Sequence, residues 1–465
     1  MTCPASNDDW GLLIDISTGK VKPTPEDTAV PVPAPELDYA AMRAAMQAKL
    51  REKHGLGGTP PPAPVGPFAY RARPERLIKN PAQEFDWLIE NLGGPMLPGF
   101  FRRGNGLVRV PRIGEHGYKP PKEDGWDDGP AQVRRANAET LRTHIQTNFL
   151  VQKWFKELKD DAYIAPVLYP REPCVMAVEG VIENPAVPVI RAITHTPTFR
   201  SDGTLVQTPG YDESGVLFLP LVDTTFPVIE EHVEAQHVQR AVEQINYLLQ
   251  DFPFVDDTSR ANMLALLVTP TLRLLLPPPY PFFAIGAPQP GSGKTLLAKL
   301  ACLLHGGVHR PALPPDDEEI RKQMVTILRA TTAPVIVWDN LTGVVKSGQF
   351  ANLLTTPKLS DRLLGTNDDV EVINDRVWVG TGNNVRIGGD MGRRTYRIDI
   401  DPQTPDPQNR TGFRERDLLG YVSANRGELL AATLTLVRAW VQEGRPRLDH
   451  RSDDYDKWSG GVAEI

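Results

Sequence analysis

The spacing of apolar and polar residues divides the chain into five segments. Residues 1–67 show no sustained period and hold eleven of the 45 prolines, which predicts a disordered arm. Apolar alternation around turn residues predicts a mixed α+β accessory domain over 68–227. Helical spacing predicts a helical connector over 228–280, and short apolar strands that alternate with helices predict an α/β core over 281–403. Residues 404–465 return to helical spacing and are expected to form a helical lid.

Local patterns sharpen the first two segments. In the arm, apolar residues at helical spacing from Tyr39 to Leu50 predict one short amphipathic helix, either transient or docked on a partner. In the accessory domain, turn residues at 103–106 and 201–203 predict hairpins. Residues 131–158 between them read as one or two helices, with these positions facing inward: Val133, Leu141, Ile145, Phe149 and Phe155.

The core segment has the pattern of a parallel sheet with helices on both faces. Four apolar runs predict buried strands, and a helix is expected from Leu296 to Leu304. The predicted strands are Phe282–Gly286, Val335–Trp338, Arg376–Gly380 and Tyr396–Ile400.

Composition and charge narrow the function classes. Lys+Arg 51 against Asp+Glu 58 gives a net charge of −7, so any nucleic-acid contact must be local. The three cysteines lie far apart, which excludes a disulfide framework and a four-cysteine zinc site and favours a cytoplasmic location. The most apolar stretch, 263–285, is broken by prolines and Arg273, so no membrane-spanning helix is expected. Acidic Asp8 and Asp9 stand where a signal peptide would be basic, so secretion is not expected either.

A glycine-rich loop follows the first predicted strand and runs Gly291, Ser292, Gly293, Lys294, Thr295 before the helix. A strand, such a loop and a helix together point backbone N–H groups at the phosphates of a nucleotide such as ATP. Lys294 is expected to reach the β- and γ-phosphates, and the Thr295 hydroxyl to bind Mg²⁺. The usual pattern has glycine where this chain has Pro288, so the chain should approach the loop differently.

The next strand delivers an acid at its end. Asp339 follows Val335–Trp338 and is expected to hold Mg²⁺. Asn340 comes next, and an amide can orient a water molecule but cannot accept its proton. Either hydrolysis is slow, or Glu318 or Glu319 contributes; exposed helix charges are the equal alternative for these two.

A third polar group follows the strand at 376–380. Asn383 is placed to contact the γ-phosphate or the attacking water, and Arg393 and Arg394 come ten and eleven residues later. That spacing favours an arginine finger over ordinary surface charge. Asp399 and Asp401 form an Asp-x-Asp pair, but they end a strand of the same domain, so a separate metal pair is not favoured.

Taken together, these blocks resemble the ATPase core of the phage and mobile-element primase-helicases, a superfamily 3 type of AAA+ helicase. The blocks are Gly291–Thr295, Trp338-Asp339, Gly382–Asn384, and Gly389-Asp390 with Arg393-Arg394. Looser likeness extends the resemblance to about three quarters of the chain. No primase acid cluster or zinc-binding cysteine set precedes residue 280, and relatives tend to continue beyond Ile465, so a shortened member without primase activity is expected.

The resemblance implies a homo-oligomeric ring, usually a hexamer, with ATP between subunits and single-stranded DNA through its centre. A hairpin before the asparagine strand, here 362–372, would touch DNA, although its tip is acidic. Lys346, Lys358 and Arg362 are the alternative phosphate contacts, each also consistent with a solvated surface. The leading hypothesis is an ATP-driven DNA helicase or translocase; the alternative is a remodelling or regulatory ATPase that does not unwind. A small-molecule kinase would share the loop but has no need for paired arginines.

Overall fold

The computed structural model describes residues 14–15, 20–21, 73–78, 80–111, 133–156, 162–220, 225–362, 369–448 and 455–465. The chain divides into two units, Met1–Ala72 and Arg73–Ile465. In the first unit, β1 (Ile14–Asp15) pairs antiparallel with β2 (Lys20–Val21). This short pairing lies within the segment that composition predicts to be disordered. The helix expected at Tyr39–Leu50 lies outside the described residues.

The amino-terminal half of the second unit is a mixed α+β region. Both predicted hairpins are confirmed, because β4 pairs antiparallel with β5, and β10 with β11. Its elements are β3 (Glu75–Ile78), α1 (Pro81–Asn91), β4 (Phe100–Arg103), β5 (Gly106–Arg109), β6 (Arg134–Arg135), α2 (Ala138–Asn148), β7 (Leu150–Lys156), β8 (Ala162–Pro166), α3 (Arg171–Glu179), β9 (Ala192–Thr194), β10 (Thr198–Phe199), β11 (Leu205–Val206), β12 (Gly210–Tyr211) and β13 (Val216–Phe218).

The helical prediction for 131–158 holds only for α2 and is wrong on both sides of it, where the short strand β6 precedes the helix. Helix α2 ends at Asn148, and β7 follows at once, parallel to β3 and antiparallel to β8. Val151 and the aromatic residues near the end of this run suit a pleated strand, and strand pairing outweighs the apparent helical spacing. Leu141, Ile145 and Phe149 are buried as predicted, whereas Phe155 is 36% exposed.

The carboxyl-terminal half of the second unit alternates strands and helices. Its elements are α4 (Ala235–Leu249), α5 (Asp257–Val268), β14 (Phe282–Ala287), α6 (Lys294–His305), β15 (Gly307–Arg310), α7 (Asp317–Ala330), β16 (Val335–Trp338), β17 (Val344–Val345), α8 (Gly348–Leu353), β18 (Lys358–Arg362), β19 (Asp369–Ile373), β20 (Val377–Asn383), β21 (Arg386–Ile387), β22 (Thr395–Asp399), α9 (Leu418–Ala424), α10 (Arg426–Gln442) and α11 (Asp456–Val462).

A five-stranded parallel sheet forms the centre of this half, in the order β15, β16, β20, β14, β22. The four predicted strands are all present, and the α/β prediction is confirmed at this level. Alternate residues of β14 face opposite sides: Phe283 and Ile285 pack with α4, α5, α6, α10 and α11, whereas Phe282 and Ala284 pack with α7 and α8. Helices therefore cover both faces.

The predicted connector and lid share a core with the sheet. Leu248 and Leu266 from 228–280, and Leu430 and Trp458 from 404–465, belong to the same buried cluster as Ile285. One face of the sheet is thus covered by elements from three predicted segments. No helix among the described residues is long and apolar enough to cross a bilayer.

Candidate functional site

The glycine-rich loop lies between the end of β14 and the start of α6. Gly291 has φ +76° and Gly293 has φ +102°, left-handed backbone that glycine adopts without strain. Within the described part of the chain, the backbone N–H groups of residues 291–295 donate to no protein acceptor. Unpaired N–H groups at a helix amino terminus form an anion-binding nest. The loop geometry therefore suits phosphate.

Lys294 is the first residue of α6, and its side chain is 8% exposed. Its Nζ donates to Asn383 Oδ1 at 2.6 Å and to the Gln289 carbonyl at 3.4 Å. Burial lowers the pKa of Lys294, and the nearby Asp339 carboxylate opposes that shift. Both of its acceptors are neutral, so a phosphate oxygen would be a stronger partner for this ammonium group.

Asp339 follows β16 and lies beside the loop. Thr295 Oγ1 donates to Asp339 Oδ1 at 3.4 Å, which places a hydroxyl and a carboxylate side by side. Such hard oxygen donors match the preference of Mg²⁺, so the residues present fit that ion. The described residues contain no group of three or more His, Cys, Asp or Glu side chains that could hold a metal. Mg²⁺ typically completes its shell with substrate phosphates and water.

The two asparagines at the end of β20 make different contacts. Asn383 ends β20 and binds Lys294, as described above. Asn384 adopts φ +50°, and its backbone N–H and side-chain Nδ2 donate to the carbonyls of Ala287 and Pro288 at 2.9 and 3.1 Å. Asn384 therefore fixes the chain where it leaves β14, at the proline that departs from the usual glycine pattern.

Asn340 has φ +60°, and its side chain is exposed. Its backbone N–H donates to Asp339 Oδ1 at 3.1 Å and to Thr381 Oγ1 at 3.2 Å. Asparagine tolerates this left-handed backbone better than most residues. The tight turn leaves the amide side chain at the surface next to Asp339.

The two acids offered as alternatives to Asn340 lie in the first turn of α7. Glu318 forms a salt bridge with Arg321 at 2.7 Å, and Glu319 accepts from Gln323 at 3.3 Å. The Arg321 hydrogen bond lowers the pKa of Glu318, which makes it a weaker base. These contacts favour the surface-charge interpretation.

A cavity of about 350 Å³ opens beside the loop and is lined by Gly291, Ser292 and Gly293. Its other walls come from the end of α4 and from the segment 407–419 that leads into α9. Aromatic and charged side chains contribute to these walls, among them Tyr247, Phe252, Arg410, Phe413 and Glu415. The size and the mixed lining are typical of a small-molecule site.

Arg393 and Arg394 lie at the other end of the sheet. They precede β22, whose first residue Thr395 is in register with Phe282 at the start of β14. The loop follows Ala287 at the end of β14, about 17 Å further along the strand at 3.3 Å per residue. Arg394 is 9% exposed, whereas the Arg393 side chain is 54% exposed and lies 3.8 Å from Asp390. Neither arginine lies over its own loop.

The expected hairpin before the asparagine strand is present. Strand β18 pairs antiparallel with β19, and Arg362 lies opposite Asp369. The tip, 363–368, lies outside the described residues. Lys346 and Lys358 are exposed.

Sequence reasoning gave no role to Thr381 or Asn384 and missed the walls of the cavity. Thr381 could have been found, because it precedes Asn383 by two residues on a strand and must share its face. The cavity walls carry no comparable signal, since they lie more than 100 residues apart in the sequence.

Comparisons with known proteins give only distant structural likeness. No family model and no curated protein matches the chain. Among solved structures, the apo NrS-1 C-terminal region is similar at 14% identity and a TM-score of 0.31, over 61% of this chain and 66% of that one. A JCV helicase with a bound acetamide compound is similar at 15% identity and a TM-score of 0.23, over 44% of this chain and 63% of that one.

The chain thus spans about two thirds of the length of these two structures.

Proposed function

We propose that this protein is an ATP hydrolase that works as an oligomeric DNA helicase or translocase. The observation that carries the hydrolase proposal is the convergence of Lys294, Thr295, Asp339 and Asn383 beside an open nest of N–H groups. Asp339 and Asn383 lie at the ends of two parallel strands, and Lys294 and Thr295 follow the loop after a third. All four residues therefore lie at the carboxyl end of the sheet. Such a constellation is the one that phosphoryl transfer requires.

Each residue has a distinct task in this proposal. The nest at 291–295 binds the β- and γ-phosphates, and Lys294 turns from Asn383 to a phosphate oxygen. That turn releases the Asn383 amide, which then orients the attacking water. Thr295 and Asp339 would hold Mg²⁺, which neutralises charge on the β- and γ-phosphates when it is bound. The 350 Å³ cavity would receive the base and ribose.

Arg393 supports the oligomeric part of the proposal. Its guanidinium group is half-exposed at the sheet end opposite its own loop, and in this proposal it serves the site of a neighbouring subunit. Arg394 is buried within its own chain and is the weaker candidate. The hexameric ring and single-stranded DNA follow from the sequence resemblance and belong to the same proposal.

Asn340 favours a second candidate, an ATPase that remodels a protein or acts as a switch without unwinding DNA. A site with an amide where a proton acceptor is usual would turn over slowly. ATP hydrolysis by the full chain, measured by phosphate release with and without single-stranded DNA, separates the two. Stimulation by DNA supports the motor. An equal rate of hydrolysis with and without DNA supports the second candidate. If hydrolysis does not exceed that of a protein-free control, both candidates are rejected.

A further inference from the structure

The carboxylate of Asp339 is held by a neighbouring strand as well as by its own turn. Thr381 Oγ1 donates to Asp339 Oδ1, and the backbone N–H of Asn340 donates to Thr381 Oγ1 at 3.2 Å. The Asp339 carboxylate can only accept a hydrogen bond and the Asn340 N–H can only donate one, so the direction of both bonds to the Thr381 hydroxyl is fixed. Thr381 is 1% exposed and lies opposite Ile285 of β14, near the carboxyl end of the central strand β20.

All hydrogen bonds that the described residues give this carboxylate end on one oxygen. Asp339 Oδ1 accepts from Thr381 Oγ1, from Asn340 N at 3.1 Å and from Thr295 Oγ1 at 3.4 Å. Oδ2 is the oxygen without a protein donor in this part of the chain. Because Thr295 gives its proton to Oδ1, its own lone pairs are left for a cation.

We propose that Thr381 is a positioning residue for the Mg²⁺–nucleotide complex. Its hydroxyl sets the rotation of the Asp339 carboxylate, so that Oδ1 receives the Thr295 proton and Oδ2 stays available to water on the metal. This inference rests on the proposed ATP site and adds to it a residue that touches neither nucleotide nor metal. Removing a side chain that orients a metal-binding group in this way typically lowers metal affinity by about 10- to 100-fold.

A purely structural role for Thr381 would rest on its backbone and on packing. Its carbonyl accepts Leu341 N–H at 2.6 Å, a bond that any side-chain variant keeps. Valine has nearly the shape of threonine, and in Thr381→Val the Asn340 N–H still has Asp339 Oδ1 as an acceptor. The hydroxyl can therefore be removed without leaving a buried donor unpaired.

The test compares Thr381→Val and Thr381→Ser with wild type in the full chain. ATP binding is measured by equilibrium titration in EDTA and at increasing Mg²⁺, and thermal midpoints are recorded alongside. We expect all three proteins to bind ATP equally in EDTA. The Mg²⁺ concentration that half-saturates the increase in affinity should rise about tenfold in Thr381→Val and stay at the wild-type value in Thr381→Ser.

Three results would overturn the inference while leaving the ATP site intact. The Mg²⁺ midpoint of Thr381→Val could equal that of wild type, its ATP binding could weaken equally with and without Mg²⁺, or serine could fail to restore the midpoint. If wild type binds no ATP under either condition, the proposed function is rejected and the positioning role falls with it.

Discussion

The two ends of the parallel sheet use charged groups in opposite ways. At the carboxyl end, Lys294 and Asp339 lie at an open nest, and Lys294 binds two neutral acceptors. At the amino end, Asp375 binds both Arg273 and Arg376, and the two arginines are 8% and 4% exposed. The first arrangement is ready to exchange partners for a ligand, whereas the second is closed.

The pKa of Asp375 reflects this closure. Burial alone would raise the pKa of this carboxyl, but Arg273 and Arg376 outweigh burial and lower its pKa to about 2. The buried charges at this end of the sheet are paired with one another, whereas Lys294 and Asp339 at the other end are not joined in an ion pair and can take a ligand. Arg393 lies at the amino end yet is half-exposed, which makes it the exception to be tested.

The largest effect is expected from Arg393→Ala. A guanidinium group that reaches the γ-phosphate of a neighbouring subunit is worth roughly 10³- to 10⁵-fold in rate. Steady-state phosphate release should fall by that order while ATP binding stays intact. Arg394→Ala, the buried neighbour, serves as the matched comparison and should mainly lower thermal stability.

Mixing separates action between subunits from action within one. Arg393→Ala and Lys294→Ala should each be inactive, and together should recover part of the activity, because some interfaces pair an intact nest with an intact arginine. Normal hydrolysis by Arg393→Ala, or no recovery in subunits that demonstrably co-assemble, would contradict the role of Arg393 in the site of a neighbouring subunit.

Asp375→Ala should produce the largest loss of stability at the closed end. It leaves Arg273 and Arg376 buried without their acid, and removing one partner of a buried pair costs about 3–5 kcal/mol. The free energy of unfolding from chemical denaturation measures this loss. Glu318→Ala removes an exposed ion pair and should change little. Equal losses of unfolding free energy in the two variants would show that the Arg273–Asp375–Arg376 cluster does not stabilise the fold.

A smaller effect is expected from Asn340→Glu. A carboxylate next to Asp339 adds a proton acceptor and should raise hydrolysis by roughly 10²-fold if proton transfer limits the rate. Asn340→Gln has the same length without the charge and is the matched control. Equal rates for the two variants would place the rate-limiting step elsewhere, such as product release.

The predictable part of the fold was the part with local signals. The strand at Val335–Trp338 is a short apolar run with Asp339 at its end, and the structure has the same bounds. The loop at 291–295 carries its geometry in two glycines. The stretch at 149–156 gave the wrong element, because the strand there depends on pairing with β3, more than 70 residues earlier.

Contacts between distant segments could not be read from the pattern. The Arg273–Asp375 pair joins residues 102 positions apart, and His195 links the Leu219 carbonyl to Thr332 across 137 positions. Neither sequence neighbourhood has a distinguishing spacing. The same holds for the cavity wall, which α4 and the segment before α9 build together.

Equilibrium binding of ATP to the full chain tests the central claim most directly, with wild type, Lys294→Ala and Lys299→Ala compared in one titration. Lys299 lies on the same helix but outside the nest and controls for loss of charge on α6. Since a hydrogen bond to a charged group is worth about 1.5–3 kcal/mol, Lys294→Ala should bind roughly 10- to 100-fold more weakly. Lys299→Ala should match wild type. Absence of ATP binding by wild type, or wild-type affinity in Lys294→Ala, would contradict a nucleotide site at the carboxyl end of the sheet.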